Sequence, residues 1–409
     1  MFDKSTIPSQ ELRALAQGLV DAESPNPPGD VSLPLAVAAN YLMENGIPFS
    51  RVSVDPENRK VNLVARVFGE HPGPHLVMNA HLDVFPMPES AADSAARHAR
   101  KLGAPEEQDI IRGRGAVDMK SGAAVFMVIM KLLNQRRREI HGQATLCLVC
   151  DEETFGPYGS RALLELYPEL AGDALLSTEP SSLSVVRVGE RGFMWGTVEF
   201  IGKGGHGAYP GGDQSPIEKA AAFIKALREV IPEDWGDVKK EDSPTVSQSL
   251  LAPNGKSFVD FPSLNFGTIG GGIKVNMQAD RCLLEVDIRL PIGRRIEDFA
   301  KIVTGIAVSH GGIYRLDNFG EPNKSDENDR LFGIIKKAVE DVTGNTPSFA
   351  VGLGCTDARL WRYRGVPAAV YGPDPSTMAK DDEAMSLSDL VTIASVHFQT
   401  ACEYLGGNT

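Results

Sequence analysis

A chain of 409 residues exceeds what one hydrophobic core usually serves, so two domains are expected. With 42% hydrophobic and 23% charged residues its composition is that of an ordinary folded chain, and a net charge of −13 weighs against nucleic acid or an anionic membrane as partner, since both favour a basic surface. The start of the chain has no basic stretch leading into an apolar one, so no signal peptide is expected. The longest apolar run near a helix, Ala123 to Leu133, is too short to span a bilayer. The cysteines Cys147, Cys150, Cys282, Cys355 and Cys402 are odd in number and scattered, which fits a reducing cytoplasm. Cys147 and Cys150 form a C-x-x-C, but inside an apolar strand run. Strand alternation points them to opposite faces, so a buried structural role is expected rather than a redox or zinc site.

In chain order, Ser9 caps a first helix with Leu12, Leu15, Ala16 and Leu19 at helical spacing. Strands are predicted over Val61 to Phe68 and His75 to Ala80, a long helix over Asp118 to Arg136, and strands over Ala144 to Cys150 and Ala174 to Thr178. Strands apolar along their length, alternating with helices, predict a mostly parallel sheet covered on both faces. The character changes near Val185: Phe193 to Ile201 alternates like a half-exposed strand, a helix covers Ser215 to Val230, and a polar, Pro-containing loop follows. Strands near Leu264 to Ile269 and Cys282 to Leu290 and a helix from Ile296 to Ser309 complete a βαββα-like open-faced sandwich. Helix and strand then alternate again: Glu327 to Val342, Pro367 to Tyr371, Leu387 to Leu405. The predicted fold is α/β, a mostly parallel catalytic domain (residues 1–186 and 318–409) interrupted by an inserted α+β open-faced sandwich (187–317).

Ligands of open α/β sheets bind beyond the carboxyl ends of the strands. Here those ends carry His81-Leu82-Asp83, Asp151-Glu152-Glu153 and Glu179, and Asp118 opens the long helix. A histidine with carboxylates is ligand chemistry suited to Zn, Mn or Co. Singly each feature is weak: a His-x-Asp is more often a surface pair, an Asp at a helix start a cap, three acids a solvated loop. The ordered set, each at an element's end, lifts the functional reading above these.

The segments Asn79 to Val84, Gly113 to Gly122, Asp151-Glu152-Glu153 and Ser177 to Pro180 resemble, in order and spacing, the M20 family of metallopeptidases and aminoacylase-like hydrolases, with its carboxypeptidase G, acetylornithine deacetylase and succinyl-diaminopimelate desuccinylase members. Gly204 to Pro210, Gly270-Gly271-Gly272 with Asn276, Arg289, Thr356 to Arg359 and Asp382-Glu383 extend the resemblance over most of the chain. It implies that His81 and Glu179 hold one divalent metal, that Asp118 bridges two, and that Glu153 holds the second. It further implies that Asp83 hydrogen-bonds the far nitrogen of His81. Glu152 would be the general base, kept off the metal so that it can take a proton from an activated water. His206, in the insert, would steady the developing oxyanion in the neighbouring subunit's site, which calls for a homodimer through the inserted lid domain. Asn276, Arg289 and Thr356 would bind substrate, Arg289 being suited to a carboxylate or, equally, to a structural ion pair.

Two departures stand out. The family's last ligand, a His four residues before the C-terminal Glu, is Ala379 here, and no histidine lies nearby. One tight ion, replacement by Asp381 or Asp382, and loss of catalysis are the readings this leaves, the first preferred; Lys380, beside the gap, could turn inward to pair with Glu153, though it is more often solvent-facing. Between Asp83 and Asp118 the aromatic wall of the family gives way to a helix-prone stretch, Ala91 to Lys101. The expectation is a cytoplasmic metallohydrolase cleaving an amide or related C–N bond in a small carboxylate-bearing substrate. A deaminase-like release of amine, or a binding protein that has lost the chemistry, are the alternatives.

Overall fold

The structure is a computed structural model that describes residues 3–87, 109–209, 214–231 and 259–406. The Ala91 to Lys101 stretch and the polar loop after the Ser215 helix lie outside the described residues. The chain divides into two compact units, Met1–Val188 with Ser325–Ala350 and Thr356–Thr409, and Gly189–Lys324 with Val351–Cys355. Arg191 ties that last short segment to the second unit: its N–H donates to the Gly352 carbonyl (3.1 Å), and its own carbonyl accepts from the Cys355 thiol (2.9 Å).

The chain runs through α1 (Ser9–Asp21), α2 (Ser32–Glu44), β1 (Phe49–Val52), β2 (Asn62–Phe68), β3 (His71–His81), β4 (Ile110–Arg112), α3 (Lys120–Gln135), β5 (His141–Val149), α4 (Ser160–Leu166), β6 (Ala174–Ser177) and β7 (Val185–Glu190). Next come β8 (Gly192–Ile201), β9 (Gly205–His206), α5 (Pro216–Val230), β10 (Ser263–Gly271), β11 (Met277–Gln278), β12 (Arg281–Leu290), α6 (Ile296–Ser309), β13 (Gly312–Gly320) and β14 (Asn323–Lys324). It closes with α7 (Arg330–Thr343), β15 (Ser348–Gly352), α8 (Ala358–Arg362), β16 (Ala368–Val370), β17 (Ala384–Ser386) and α9 (Leu387–Tyr404). Ser9 is the first helical residue of α1 and Pro8 its cap, so the expected Ser9 cap is displaced by one position. No helix of the described residues is long and apolar enough to cross a membrane.

The large sheet has the order β1-β2-β5-β3-β6-β16-β7-β14, with β15 also paired to β7. The central strands β5, β3, β6 and β16 are parallel, and the strands flanking them are antiparallel. The fold class is the mixed α/β one expected, with the parallel part at the centre of the sheet. Alternate residues of each strand feed opposite faces. Leu76, Met78 and Ala80 of β3 join the core under α1, α3 and α9, while Val77 joins the smaller core that holds Trp361 of α8. Cys147 and Cys150 follow the same rule, one in each core, both buried and unbridged. Burial raises their thiol pKa values, Cys147 to about 12. In α9, His397 is fully buried; its Nε2 donates to the Tyr371 carbonyl (2.6 Å) and burial lowers its pKa to about 4.

The second unit is an antiparallel sheet, β10-β12-β8-β13, with a core of inward residues such as Met194, Val198, Phe200, Leu284, Val286 and Ile288 against Phe223 and Leu227 of α5 and Phe299 and Val303 of α6. Helix α5 opens with a capping box of Ser215 and Glu218, a device that stabilises a helix start by about 1 kcal/mol. The sequence pattern stops at α6, but the structure adds β13. As an edge strand it is buried only at its two terminal glycines, so its apolar alternation is weak.

Candidate metal centre

Because β5, β3 and β6 are parallel neighbours, their carboxyl ends share one edge of the sheet. Strand β3 ends at His81, β5 runs out into Asp151-Glu152-Glu153, and β6 runs out into Glu179. The Asp118 loop, just ahead of α3, completes the set. Gly122 lets α3 come close: a Cβ there would lie 2.1 Å from the Thr178 hydroxyl.

His81 is at the centre. Its Nε2 lies 3.0 Å from Asp118 Oδ1 and 3.4 Å from Glu179 Oε1. Its Nδ1 is 2.8 Å from the Asp83 carbonyl oxygen, which can only accept, so Nδ1 carries a proton. Here the expected partner is corrected. The Asp83 carboxylate is 3.8 Å from Nδ1 and is engaged elsewhere, accepting from the backbone N–H groups of Glu152 (3.2 Å) and Glu153 (3.1 Å) and from the Asn26 amide (2.8 Å). The main chain of Asp83 fixes the tautomer, and its side chain fixes the Glu152-Glu153 turn.

With Nδ1 protonated, a neutral His81 would aim the Nε2 lone pair at two carboxylates. Such a contact needs positive charge between the groups, either a proton or a metal ion. Burial opposes the imidazolium, but hydrogen bonds to Asp118 and Glu179, and their charge, push the His81 pKa well above its ordinary value. The acids carry the complementary mark. Burial and then the charge of Glu179 raise the Glu152 pKa well above normal; burial and then Asp118 do so for Glu153. Two sets of donor atoms lie within 4.8 Å of one another, His81–Asp118–Glu153 and His81–Glu152–Glu179. Imidazole nitrogen and carboxylate oxygen are donors suited to Zn²⁺, Mn²⁺ or Co²⁺, so the residues fit a divalent ion.

The three acids after β5 divide. Asp151, with a left-handed φ of 66°, turns its carboxylate to Lys60, Asn26, Thr154 and the Tyr158 N–H. Glu153 accepts from the Phe85 N–H (3.1 Å) at the edge of the cluster. Glu152 is buried, and its Oε1 has no hydrogen-bond partner among the described residues. Ala379, Lys380, Asp381 and Asp382 are all exposed, and neither aspartate joins a candidate ligand set. No ion pair ties Lys380 to Glu153 among the described residues.

Sequence reasoning gave no role to Asn26, Glu383 or Asp357. The Asn26 amide spans Asp83, Asp151 and Thr154, clamping the turns after β3 and β5. The Glu383 carboxylate gathers the backbone N–H groups of the Asp118 loop. Asp357 is buried beside Thr356, and burial, as the largest effect, raises its pKa. Asp357 and Glu383 fall in segments that resemble the family, which flagged them without a role, and the Asn-Pro-Pro-Gly run at Asn26 carries the signal of a tight turn. Thr356 itself is buried, and its hydroxyl accepts from the Ala358 N–H.

The remaining expected residues belong to the second unit. His206 is exposed on the two-stranded β9–β11 arm, opposite Met277. Its Nδ1 accepts from the Ala208 N–H (3.2 Å), which leaves the proton on Nε2. Asn276 is exposed beside it, its carbonyl accepting from the Gly207 N–H (2.9 Å). Arg289 donates from Nε to Asp287 (3.0 Å) and lies over the rings of Phe193 and Trp195.

The model of Peptidase family M20/M25/M40 matches residues 77–403. A succinyl-diaminopimelate desuccinylase of Stutzerimonas stutzeri is 29% identical over 341 residues, 81% of this chain and 83% of its own length. An M20 family metallo-carboxypeptidase from Sulfolobus solfataricus has the same fold, with a TM-score of 0.79 at 15% identity over 97% of this chain and 99% of that one. A dinuclear metal binding peptidase of the M20 family from Bacillus subtilis superposes with a TM-score of 0.66 at 15% identity, covering 99% of this chain and all of its own. The chain belongs to Peptidase family M20/M25/M40, and by that membership it is a metallohydrolase of C–N bonds.

Proposed function

We propose that this enzyme cleaves an amide bond in a small, carboxylate-bearing substrate, with Glu152 as general base. The observation that carries the reading is Glu152 itself: a buried carboxylate with one oxygen unpartnered, its pKa raised first by burial, within reach of His81 and Glu179. A buried carboxylate with a lone pair left over, beside the residues that would hold the ion, is placed to take a proton from water. His81, Asp118 and Glu179 would hold the divalent ion, Zn²⁺ or Mn²⁺, with Glu153 beside them. That ion supplies Lewis acidity, polarising the scissile carbonyl and acidifying water. Glu152 takes the proton from the attacking water and delivers it to the leaving nitrogen. Asp83 holds the Glu152-Glu153 turn in place. Asn276, Arg289 and Thr356 are assigned to the substrate, Arg289 to its carboxylate.

His206 is assigned to the oxyanion in the site of a partner subunit. Its Nε2–H is free to donate, and the apolar residues Tyr209, Ile273, Val275 and Met277, exposed on and beside its arm, support a homodimer formed through the second unit. A single tight ion is assigned because Ala379 has no donor and Asp381 and Asp382 face solvent. The test is a hydrolysis screen of N-acyl amino acids, dipeptides and aromatic amides with Zn²⁺, Mn²⁺ or Co²⁺, alongside elemental analysis. Turnover of an N-acyl amino acid or dipeptide at about one metal equivalent per chain is expected. Inactivity on all of them in metal-loaded protein would sink the substrate class; two tightly held ions would sink the one-ion assignment.

A further inference from the structure

We propose that Glu383 is a positioning residue that fixes the Asp118 carboxylate for the divalent ion, through the main chain rather than by touching the ion. The proposal rests on the reading of Asp118 as a ligand. Glu383 is 2% exposed, and its Oε1 accepts three backbone N–H groups of one turn: Gly115 (3.1 Å), Val117 (2.9 Å) and Asp118 (3.2 Å). Its Oε2 accepts from Arg114 Nη1 (2.7 Å), and the Glu383 carbonyl accepts from the Gly113 N–H (3.0 Å).

Converging N–H groups make an anion-holding concavity. This one is built for a side chain from 265 residues away. Gly115 takes a φ of 91° and Gly113 one of 132°, conformations that L side chains rarely adopt, and a Cβ on Gly115 would lie 2.9 Å from Val84. Arg114 reaches back across the same strap, donating from Nη2 to the Ala379 carbonyl (3.0 Å), while β17 pairs with β4 just beyond. The 379–383 strap, which offers no imidazole, thus works as a clamp on the loop that presents Asp118. Without the carboxylate three buried donors lose their acceptor, and the loop can relax away from His81.

Carboxylates that orient a metal ligand typically matter by about 10- to 100-fold in metal affinity. The test is Mn²⁺ titration of metal-free, folded protein by calorimetry, with the melting temperature measured in parallel. Glu383→Ala should weaken Mn²⁺ binding by about tenfold or more. Should it not fold, Glu383→Asp, which draws the acceptor back by one methylene, should do the same. Glu383→Gln keeps an oxygen for the three N–H groups and loses only the Arg114 pair, so its loss of affinity should be clearly smaller than that of Glu383→Ala. Glu11→Gln, which breaks an ion pair with Lys131 on α3, controls for lost stability and should leave affinity unchanged. Wild-type affinity in Glu383→Ala or Glu383→Asp, with only a lower melting temperature, would make the residue structural and overturn the proposal. Loss in Glu383→Gln as large as in Glu383→Ala would overturn the backbone route. Asp118→Asn separates the underlying reading: if it binds Mn²⁺ like wild type, Asp118 is no ligand; if it loses binding while Glu383→Ala keeps it, only the positioning role fails.

Discussion

The strand-end cluster and the β9–β11 arm both carry polar residues assigned to catalysis, and they are built in opposite ways. His81, Asp118, Glu152 and Glu179 are buried; the turns that present His81, Glu152 and Asp118 are ordered by the Asn26 amide donating to Asp83 and by the Asp83 and Glu383 carboxylates accepting backbone N–H groups. His206 and Asn276 stand exposed on a ribbon of two short strands, their local support a pair of main-chain contacts. Preorganised groups lose little freedom when the reaction begins, and catalysis gains most from them. Exposed groups on a ribbon acquire that order only from something that docks on them. On the proposed reading, the buried cluster carries the proton transfer and the arm completes the oxyanion site only on assembly.

The sharpest break of this comparison is Glu152→Gln. It preserves shape and removes the base, so turnover should fall by about 10²- to 10⁴-fold, while elemental analysis finds the metal retained. A metal-free variant would make Glu152 a ligand and exchange its role with Glu153. Next in size is His206→Ala, which should lower kcat by about 10²- to 10³-fold in a protein that still sediments as a dimer. Mixing the two inactive variants tests the arm directly. If His206 serves the partner's site, mixed dimers contain one complete site and regain turnover; mixtures that stay inactive would confine His206 to its own chain.

The smallest effect concerns the core beneath the cluster. An imidazole in the unfolded chain binds its proton near pH 6.5, whereas burial holds His397 near about 4. Between those values the unfolded state carries more protons. Stability from this site is therefore complete above about pH 6.5 and declines as the pH falls toward about 4. His397→Gln retains a donor for the Tyr371 carbonyl and should flatten that acid slope in denaturant unfolding. An equally steep slope in the variant would rule His397 out as its source.

The strand ends were readable because an apolar run halted by acids is a local pattern. Parallel neighbours then bring His81, Glu152 and Glu179 to one edge. What the sequence hid is orientation and distant partnership. Nothing in Asp151-Glu152-Glu153 says that the first turns away to Lys60 and Asn26 through a left-handed φ. Nothing near Asp83 says that its carboxylate serves the next strand's turn while its carbonyl serves His81. Among the strands missed in the sequence, β4, β9, β11, β14 and β17 have two or three residues each, too few to show a period, while β1 and β13 are sheet-edge strands whose sparse burial leaves a faint pattern.

Val188 and Ser325 bound the long excursion into the second unit, and the Ser325 N–H donates to the Val188 carbonyl at 2.8 Å. The catalytic chain is thus already stitched shut across the excursion, as the two sides of a hairpin are. Just beyond them β14 pairs with β7, so the chain leaves the large sheet and returns to it at one place. The exit and the return of the excursion are therefore held by main-chain bonds to each other rather than by the sequence that runs between them.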